Sequence, residues 1–598
     1  MKQTLFKKLA ILILINFNAG LFAQIQQNPE ITVNELKEHI SILASDSLKG
    51  RKPGTPGGKN AANYIRNQFK TFDAELLGDD GFQYFNVVTE VKTGNNNFFS
   101  FKKFEGKLNE DFSPYSFSKN DELKAPVVFV GYGFDIDKDS IKWNDYEDID
   151  VSDKWVIILR GTPDINEEEN KYLPYADDRD KVLTARDKGA AGVLFVTGVE
   201  IDKEDNLVSL YFDKTKSNSG LPVINIKRNI TDKILEQNNQ TIENLERQLN
   251  NSHIPASFEV PVIVDASTEI LQKIAQTQNV VAMIEGNDPV LKNEFIVIGA
   301  HYDHLGMGGP GSGSRMPDTN AVHNGADDNA SGVAGIIEIA EKLAAHKNEL
   351  KRSVIVMAFG AEEMGLLGSK YFTANPLTDL ENIKTMINFD MIGRLNPESK
   401  TIVVSGTGTS AEAVSILDNL AEGSKIKLRY SPEGYGPSDH ASFYAENIPV
   451  FFITTGAHAD YHTPFDDIEI INFEGQKLVA DFSYNLILDI INRPDELTFK
   501  AAGQKKKSKY GKKLKVTLGI MPDFTSAQEN GLAVGGVTSG KPAESAGMLK
   551  GDLIVAIEGK PVKNIYDYMN RLKKFEPGQI ITVDIIRNGE KKVLLVNL

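Results

Sequence analysis

Polar and apolar positions divide the chain into stretches of different texture. Residues 35–43 carry apolar side chains at helical spacing, and the run Gly50-Arg51-Lys52-Pro53-Gly54-Thr55-Pro56-Gly57-Gly58 interrupts it before a second helix predicted through Ala61 to Phe69. From about Leu123 the pattern becomes short apolar runs parted by polar turns, at 126–130, 155–159 and 192–196, with a helix predicted over 181–188. This predicts a β-rich unit inserted into another domain. From Asn279 onward, strand-length apolar runs alternate with loops and helices. The runs 295–298, 354–359, 383–389 and 449–453 are apolar nearly throughout, which predicts strands buried on both faces, with helices such as 332–345 covering them. The expected fold class is α/β, a mainly parallel sheet with helices on both faces, joined to the inserted β-rich unit and a small C-terminal β unit. The expected division is 24–110 with 256–494 for the α/β domain and 111–255 for the insert. A basic linker at 495–512, rich in lysine from Lys505 to Lys513, then leads to the last unit at 513–598.

Length and composition agree with several domains and narrow the partners. A chain of 598 residues exceeds what one core usually serves, and 41% hydrophobic with 25% charged residues is ordinary for a folded protein. The net charge of −16 opposes non-specific binding to nucleic acid or to an anionic membrane. Lys2, Lys7 and Lys8 precede an apolar run from Leu9 to Ile15, and Leu21-Phe22-Ala23 follows, which reads as a signal peptide over 1–23. The run is far below the roughly 20 residues that span a bilayer, and no other segment is apolar enough. The expectation is an exported protein, periplasmic or extracellular, with no integral membrane segment in the mature chain. Cysteine is absent, so disulfides contribute nothing.

Candidate chemistry gathers where the buried strands end, which is where open α/β sheets place their ligands. His301, Asp327, Asp328, Glu362, Glu363, Asp390 and His462 all fall there. Each alone is ordinary; together, two histidines and several carboxylates suit zinc, which takes imidazole nitrogen and carboxylate oxygen. If one carboxylate bridges, two ions can share a hydroxide, and three carboxylates plus that hydroxide balance two divalent cations. Neighbouring Glu362 and Glu363 diverge on an extended backbone, so one can ligate while the other holds water. Asp303, two residues beyond His301, is a candidate acceptor for that imidazole's other N–H. The run Ser405-Gly406-Thr407-Gly408-Thr409 lacks the remainder of a phosphate loop and reads as a turn.

The segments AHYDHLG, NGADDNASG, FGAEEMGLLGS, NFDMIGR and YHTP, in this order, resemble the zinc aminopeptidase and glutamate carboxypeptidase family of co-catalytic metallopeptidases, clan MH. The resemblance implies two zinc ions per chain. His301 and Asp390 would hold one, Glu363 and His462 the other, with Asp328 bridging them and Glu362 as general base. It implies release of N-terminal residues from peptide or protein substrates. A carboxypeptidase or dipeptidase stays open through Arg315 and Arg394, which could meet a substrate carboxylate. A non-catalytic receptor-like scaffold and a single-zinc acyl transferase of the glutaminyl cyclase kind are further alternatives. The insert, with VGYGF and KGAAGVLF, resembles a protease-associated domain. The last unit, with TLGI and AESAGMLKGDLI, resembles a PDZ domain, which implies a C-terminal peptide ligand held by backbone N–H groups near Leu518, Gly519 and Ile520.

Overall fold

Strand Phe295–His301 runs parallel between Ser353–Phe359 and Ile383–Phe389, and the latter runs parallel to Val450–Thr454. Alternation along these strands builds two cores. Ile296, Ile298, Ala300, Val354, Val356 and Ala358 face one; Val297, Ile355 and Met357 face the other. The first core is covered by the helices Val33–Leu43, Pro56–Thr71, Gly332–Ala345 and Phe473–Asn492. The second is closed by Phe372 and Phe443. The near-continuous apolar runs are thus explained by burial on both faces. The centre of this nine-stranded sheet is parallel, and so is its edge pair Thr401–Ser405 with Lys427–Ser431. Ile270–Ile284 pairs antiparallel with Ser353–Phe359 on one side, and Thr401–Ser405 antiparallel with Val450–Thr454 on the other.

The structure is a computed structural model that describes residues 29–138, 141–167, 170–212, 218–502, 516–522, 530–537, 541–563, 565–572 and 574–598. The expected leader at 1–23 and the lysine run 505–513 lie outside these residues. Among the described residues, no helix is long and apolar enough to cross a membrane. The second helix starts at Pro56, earlier than its apolar spacing suggests. Thr55 caps it by accepting from Gly58 N–H, and proline suits the first turn. A Cβ at Gly57 would come within 1.9 Å of the Leu48 carbonyl oxygen, so only glycine lets the helix start this close to the preceding turn. Gly406 has a φ of 81° and accepts from Thr409 N–H at 2.8 Å, a plain turn after its strand.

A second, eight-stranded sheet takes strands from Phe98–Phe101 to Phe258–Thr268. It therefore reaches past 111–255 on both sides, because Phe258–Thr268 pairs with both Phe98–Phe101 and Asp121–Phe129. The helices Asp178–Asp187, Arg228–Leu235 and Ile242–Ser252 make it a mixed α/β unit, where the short apolar runs alone had suggested β. The C-terminal unit is a six-stranded sheet around its own core of Leu518, Val534, Ile554, Leu572 and Val583.

Helix Gly332–Ala345 packs beneath the ends of the parallel strands, and Ile336 on it is 0% exposed. Replacing Ile336 with Ala should cost about 2–5 kcal/mol, as buried Ile-to-Ala changes do. A lowered denaturation midpoint of the full chain is the expected result.

Candidate metal centre and active site

The carboxyl ends of the parallel strands deliver the site. His301 ends its strand; Glu362 and Glu363 follow the turn after Ser353–Phe359, and Asp390 follows Ile383–Phe389. The loop after Val450–Thr454 carries His462, and Asp328 precedes the helix Gly332–Ala345. Asp328 lies at the centre. Its Oδ1 is 3.2 Å from His301 Nε2 and its Oδ2 is 3.2 Å from His462 Nε2. Asp390 Oδ1 stands 3.5 Å from His301 Nε2, and Glu363 Oε1 stands 3.2 Å from His462 Nε2. Zinc bonds of about 2.0–2.2 Å set the donors around one tetrahedral ion roughly 3.3–3.6 Å apart; the Asp390 separation falls in that range and the other three lie just below it. Glu362 Oε2 is farther from His301 Nε2, at 3.9 Å, and Glu362 points to the opposite side from Glu363, as adjacent side chains should.

The donor set fits cation binding on two further grounds. His462 Nε2 is buried with no hydrogen-bond partner, and buried carboxylates crowd together with one buried arginine, Arg51, among them. His462 is aimed by its other nitrogen, 3.0 Å from the Gly313 carbonyl, and Tyr461 stacks on its ring at 3.9 Å.

Asp303 departs from its expected part. Its carboxylate oxygen is 3.9 Å from His301 Nδ1, while its backbone carbonyl accepts from that nitrogen at 3.2 Å. The carboxylate instead accepts from Glu362 N–H at 2.9 Å and Glu363 N–H at 3.3 Å. The strand ends at His301, so two-residue alternation no longer sets the direction of residue 303, and two buried amides at the turn claim its oxygens. Asp303 thereby positions the glutamate pair.

Several residues of the centre escaped the sequence reading. His304 Nδ1 is 2.9 Å from Glu363 Oε1, and His304, Asp328 and Glu363 form one donor group while His301, Glu362 and Asp390 form another. The second histidine of AHYDH was the available signal. Asp466 accepts from the N–H groups of Asp327 and Asp328, both at 3.0 Å. Asp327 is a structural acid: it accepts from Gly393 N–H at 2.6 Å and Ser331 Oγ at 3.0 Å, with His458 Nε2 at 3.3 Å. Arg51, fully buried, donates to the carbonyls of Leu43, Tyr302, Asn324 and Gly325, tying the N-terminal segment to both ligand loops.

Electrostatics follow the same division. Burial, reinforced by Glu363, Asp439 and Asp390, holds the Glu362 carboxyl well above its ordinary value against the pull of His301. Burial and Asp328 would also raise Glu363, but His304 and His462 outweigh them and bring it to about 2. Burial opposes charge on His462, yet Asp328 and Glu363 raise it to about 10. One glutamate is thus set up to hold a proton and its neighbour to face positive charge.

Comparison with known proteins agrees with this geometry. Residues 279–487 match peptidase family M28, residues 120–234 the PA domain, and residues 516–598 the PDZ domain. An M28-like peptidase segment is thus combined in this chain with PA-like and PDZ-like segments. It is 27% identical over 244 residues to a probable leucine aminopeptidase 2 of Aspergillus oryzae, covering 36% of this chain and 44% of that protein. It is 31% identical over 180 residues to leupeptin-inactivating enzyme 1 of Streptomyces exfoliatus, covering 30% of this chain and 36% of that one. The chain thus spans less than half the length of these two curated relatives. Among solved structures it is similar to an aminopeptidase from Aneurinibacillus sp. strain AM-1, with 22% identity and a TM-score of 0.48, covering 78% of this chain and 96% of the other.

Asp303→Asn puts an amide N–H₂ against one of two backbone N–H groups. Metal affinity or activity should fall on the order of 10–100-fold, the usual cost of losing a partner that orients ligands. Titration of the apo-protein with zinc, alongside a melting curve, measures it.

Proposed function

We propose that this chain is a zinc aminopeptidase with two metal ions, one held by His301 and Asp390, the other by Glu363 and His462, with Asp328 between them. The observation that carries the reading is the single carboxylate of Asp328, whose two oxygens each stand 3.2 Å from a different histidine. When bound, the ions supply Lewis-acid polarisation of the scissile carbonyl and acidify water. Glu362, outside the donor spacing and on the far side from Glu363, takes the proton of the attacking water and returns it to the departing amine. Asp303 fixes the backbone of both glutamates, so base and ligand stay divided.

Removal of N-terminal residues is favoured over a carboxypeptidase reading by the state of the two arginines. Arg394 Nη1 is 3.1 Å from Asp460 Oδ2, and Arg315 donates to the carbonyls of Ala459 and Tyr461, so both are engaged within the protein. We further propose export of the chain through the leader at 1–23, on the residue pattern given above. At the C-terminal unit, a peptide carboxylate at Leu518, Gly519 and Ile520 is proposed on the PDZ match. There Gly519 N–H already donates to Thr517 Oγ1 at 3.0 Å, so binding would exchange that partner.

Glu362→Gln keeps size and shape but removes the base, so turnover should fall on the order of 10²–10⁴ while both metals stay. Glu363→Gln should lose metal as well as turnover, since a charged ligand is gone. Metal analysis and kinetics on an aminoacyl chromogenic substrate compare the two. Full turnover by Glu362→Gln with two ions bound would remove it from the mechanism, and no cleavage of any free N-terminus by the parent would sink the aminopeptidase reading.

Arg394→Ala offers a separate check on substrate polarity. Cleavage of N-terminally blocked peptides with a free carboxylate should be negligible before and after the change. Robust cleavage that Arg394→Ala abolishes would support the carboxypeptidase alternative.

A further inference from the structure

The helix Asp178–Asp187 of the insert lies against the helix Ile565–Leu572 of the C-terminal unit, and their charges are complementary in order. Arg186 Nη2 is 2.7 Å from Asp567 Oδ1. One turn along the second helix, Arg571 grips Asp187 with two guanidinium nitrogens, Nη2 to Oδ1 at 2.9 Å. The Asp567 side chain is 0% exposed and that of Arg571 is 2%. Charges buried to this degree are costly unless paired, so the two surfaces match each other better than either matches water.

Each side is also held by its own unit. Asp567 Oδ2 accepts from Lys563 N–H at 2.8 Å, Arg571 Nη2 donates to the Pro561 carbonyl at 3.0 Å, and Arg186 Nη1 donates to the Ser219 carbonyl at 2.8 Å. Rotamers held by their own unit lose little entropy on docking, and the bidentate pair adds direction. The contact of the same unit with the peptidase domain is of another kind. Lys550 Nζ meets Glu446 Oε2 at 2.9 Å with the lysine 60% exposed, a pair that contributes little.

We infer that the C-terminal PDZ unit is locked onto the PA insert by this four-charge clamp, so that the two move as one body. The docking face is the Asp567 and Arg571 side of the Ile565–Leu572 helix, and the partner it fits is the Arg186-Asp187 end of the insert's own helix. The neighbouring face of the same helix, with Tyr568 and Leu572, packs into the core that contains Leu518. A peptide added beside Leu518 to Ile520 is therefore presented from a position fixed relative to the insert.

The chain has no cysteine, so Lys203→Cys and Lys591→Cys place two spin labels without background, one on each unit. Pulsed electron-electron resonance on the full chain should give one narrow distance peak. Arg571→Glu should lose that peak, and so should Asp187→Lys, which alters only the insert and leaves the PDZ core untouched. The double variant Asp187→Lys/Arg571→Glu should regain the narrow peak near its original distance, with far-UV circular dichroism unchanged throughout. A broad distribution in the parent overturns the clamp, as does a narrow one in both single variants or a double variant no narrower than the singles.

Discussion

Carboxylates buried a few ångströms apart repel one another strongly where water is scarce, and the end of the central sheet holds many of them. The chain answers with three devices of different reach. Asp303 and Asp466 each take two backbone N–H groups, and Asp327 takes one together with a hydroxyl. Arg51 adds one fixed positive charge beneath the loops. The inner group of Asp328, Glu363 and Asp390 faces imidazole nitrogens instead. The outer acids are thus satisfied largely by the backbone, and the inner ones meet the histidines.

That division explains why so much of the chain converges on one place. Arg51 comes from the N-terminal segment, yet three of the carbonyls it binds belong to the loops after His301 and before Asp328. Removing its charge would leave those carbonyls and the nearby acids facing each other in a dry space, where an unmatched group costs more than a lost bond at the surface. The helix Gly332–Ala345 begins just past Asp328, so its N-terminal dipole also faces the acids. Close packing is required there: a Cβ at Gly332 would come within 2.6 Å of the Phe389 carbonyl oxygen, next to Asp390.

The sequence made visible what depends on periodicity and on residue type at strand ends. Strands buried on both faces announce themselves as unbroken apolar runs, and the acids and histidines that follow them are candidates by position alone. Glu362 and Glu363 fall in different donor groups, though they sit at a turn and not on the extended backbone expected. Asp303 was misdirected because alternation was extended two residues beyond the strand's end at His301. Arg51, Asp466 and His458 carried no pattern, and His304 only its place in AHYDH, since each acts through long-range contacts that only the folded chain creates. The edges of the insert were obscure for a related reason: only pairing shows that Phe98–Phe101 and Phe258–Thr268 join its sheet.

The insert is joined to the peptidase sheet by two long strands rather than a loose hinge. Phe82–Thr93 and Ile270–Ile284 pair from Val280 with Phe82 to Ile270 with Thr93, an antiparallel ribbon that leaves the peptidase sheet and reaches the second one. Leu210 and Phe212 of the insert pack on Val88, Val91 and Ile270 of this ribbon. Between them Tyr211 lies against Gly311, where a Cβ would come within 2.5 Å of the ring. The loop that holds Gly311 continues to Gly313, whose carbonyl orients His462. A short physical path therefore runs from the insert to the His462 imidazole, past Gly311, where a Cβ would crowd the Tyr211 ring. A two-stranded ribbon resists bending more than a single connector does, so the insert is held close to that loop.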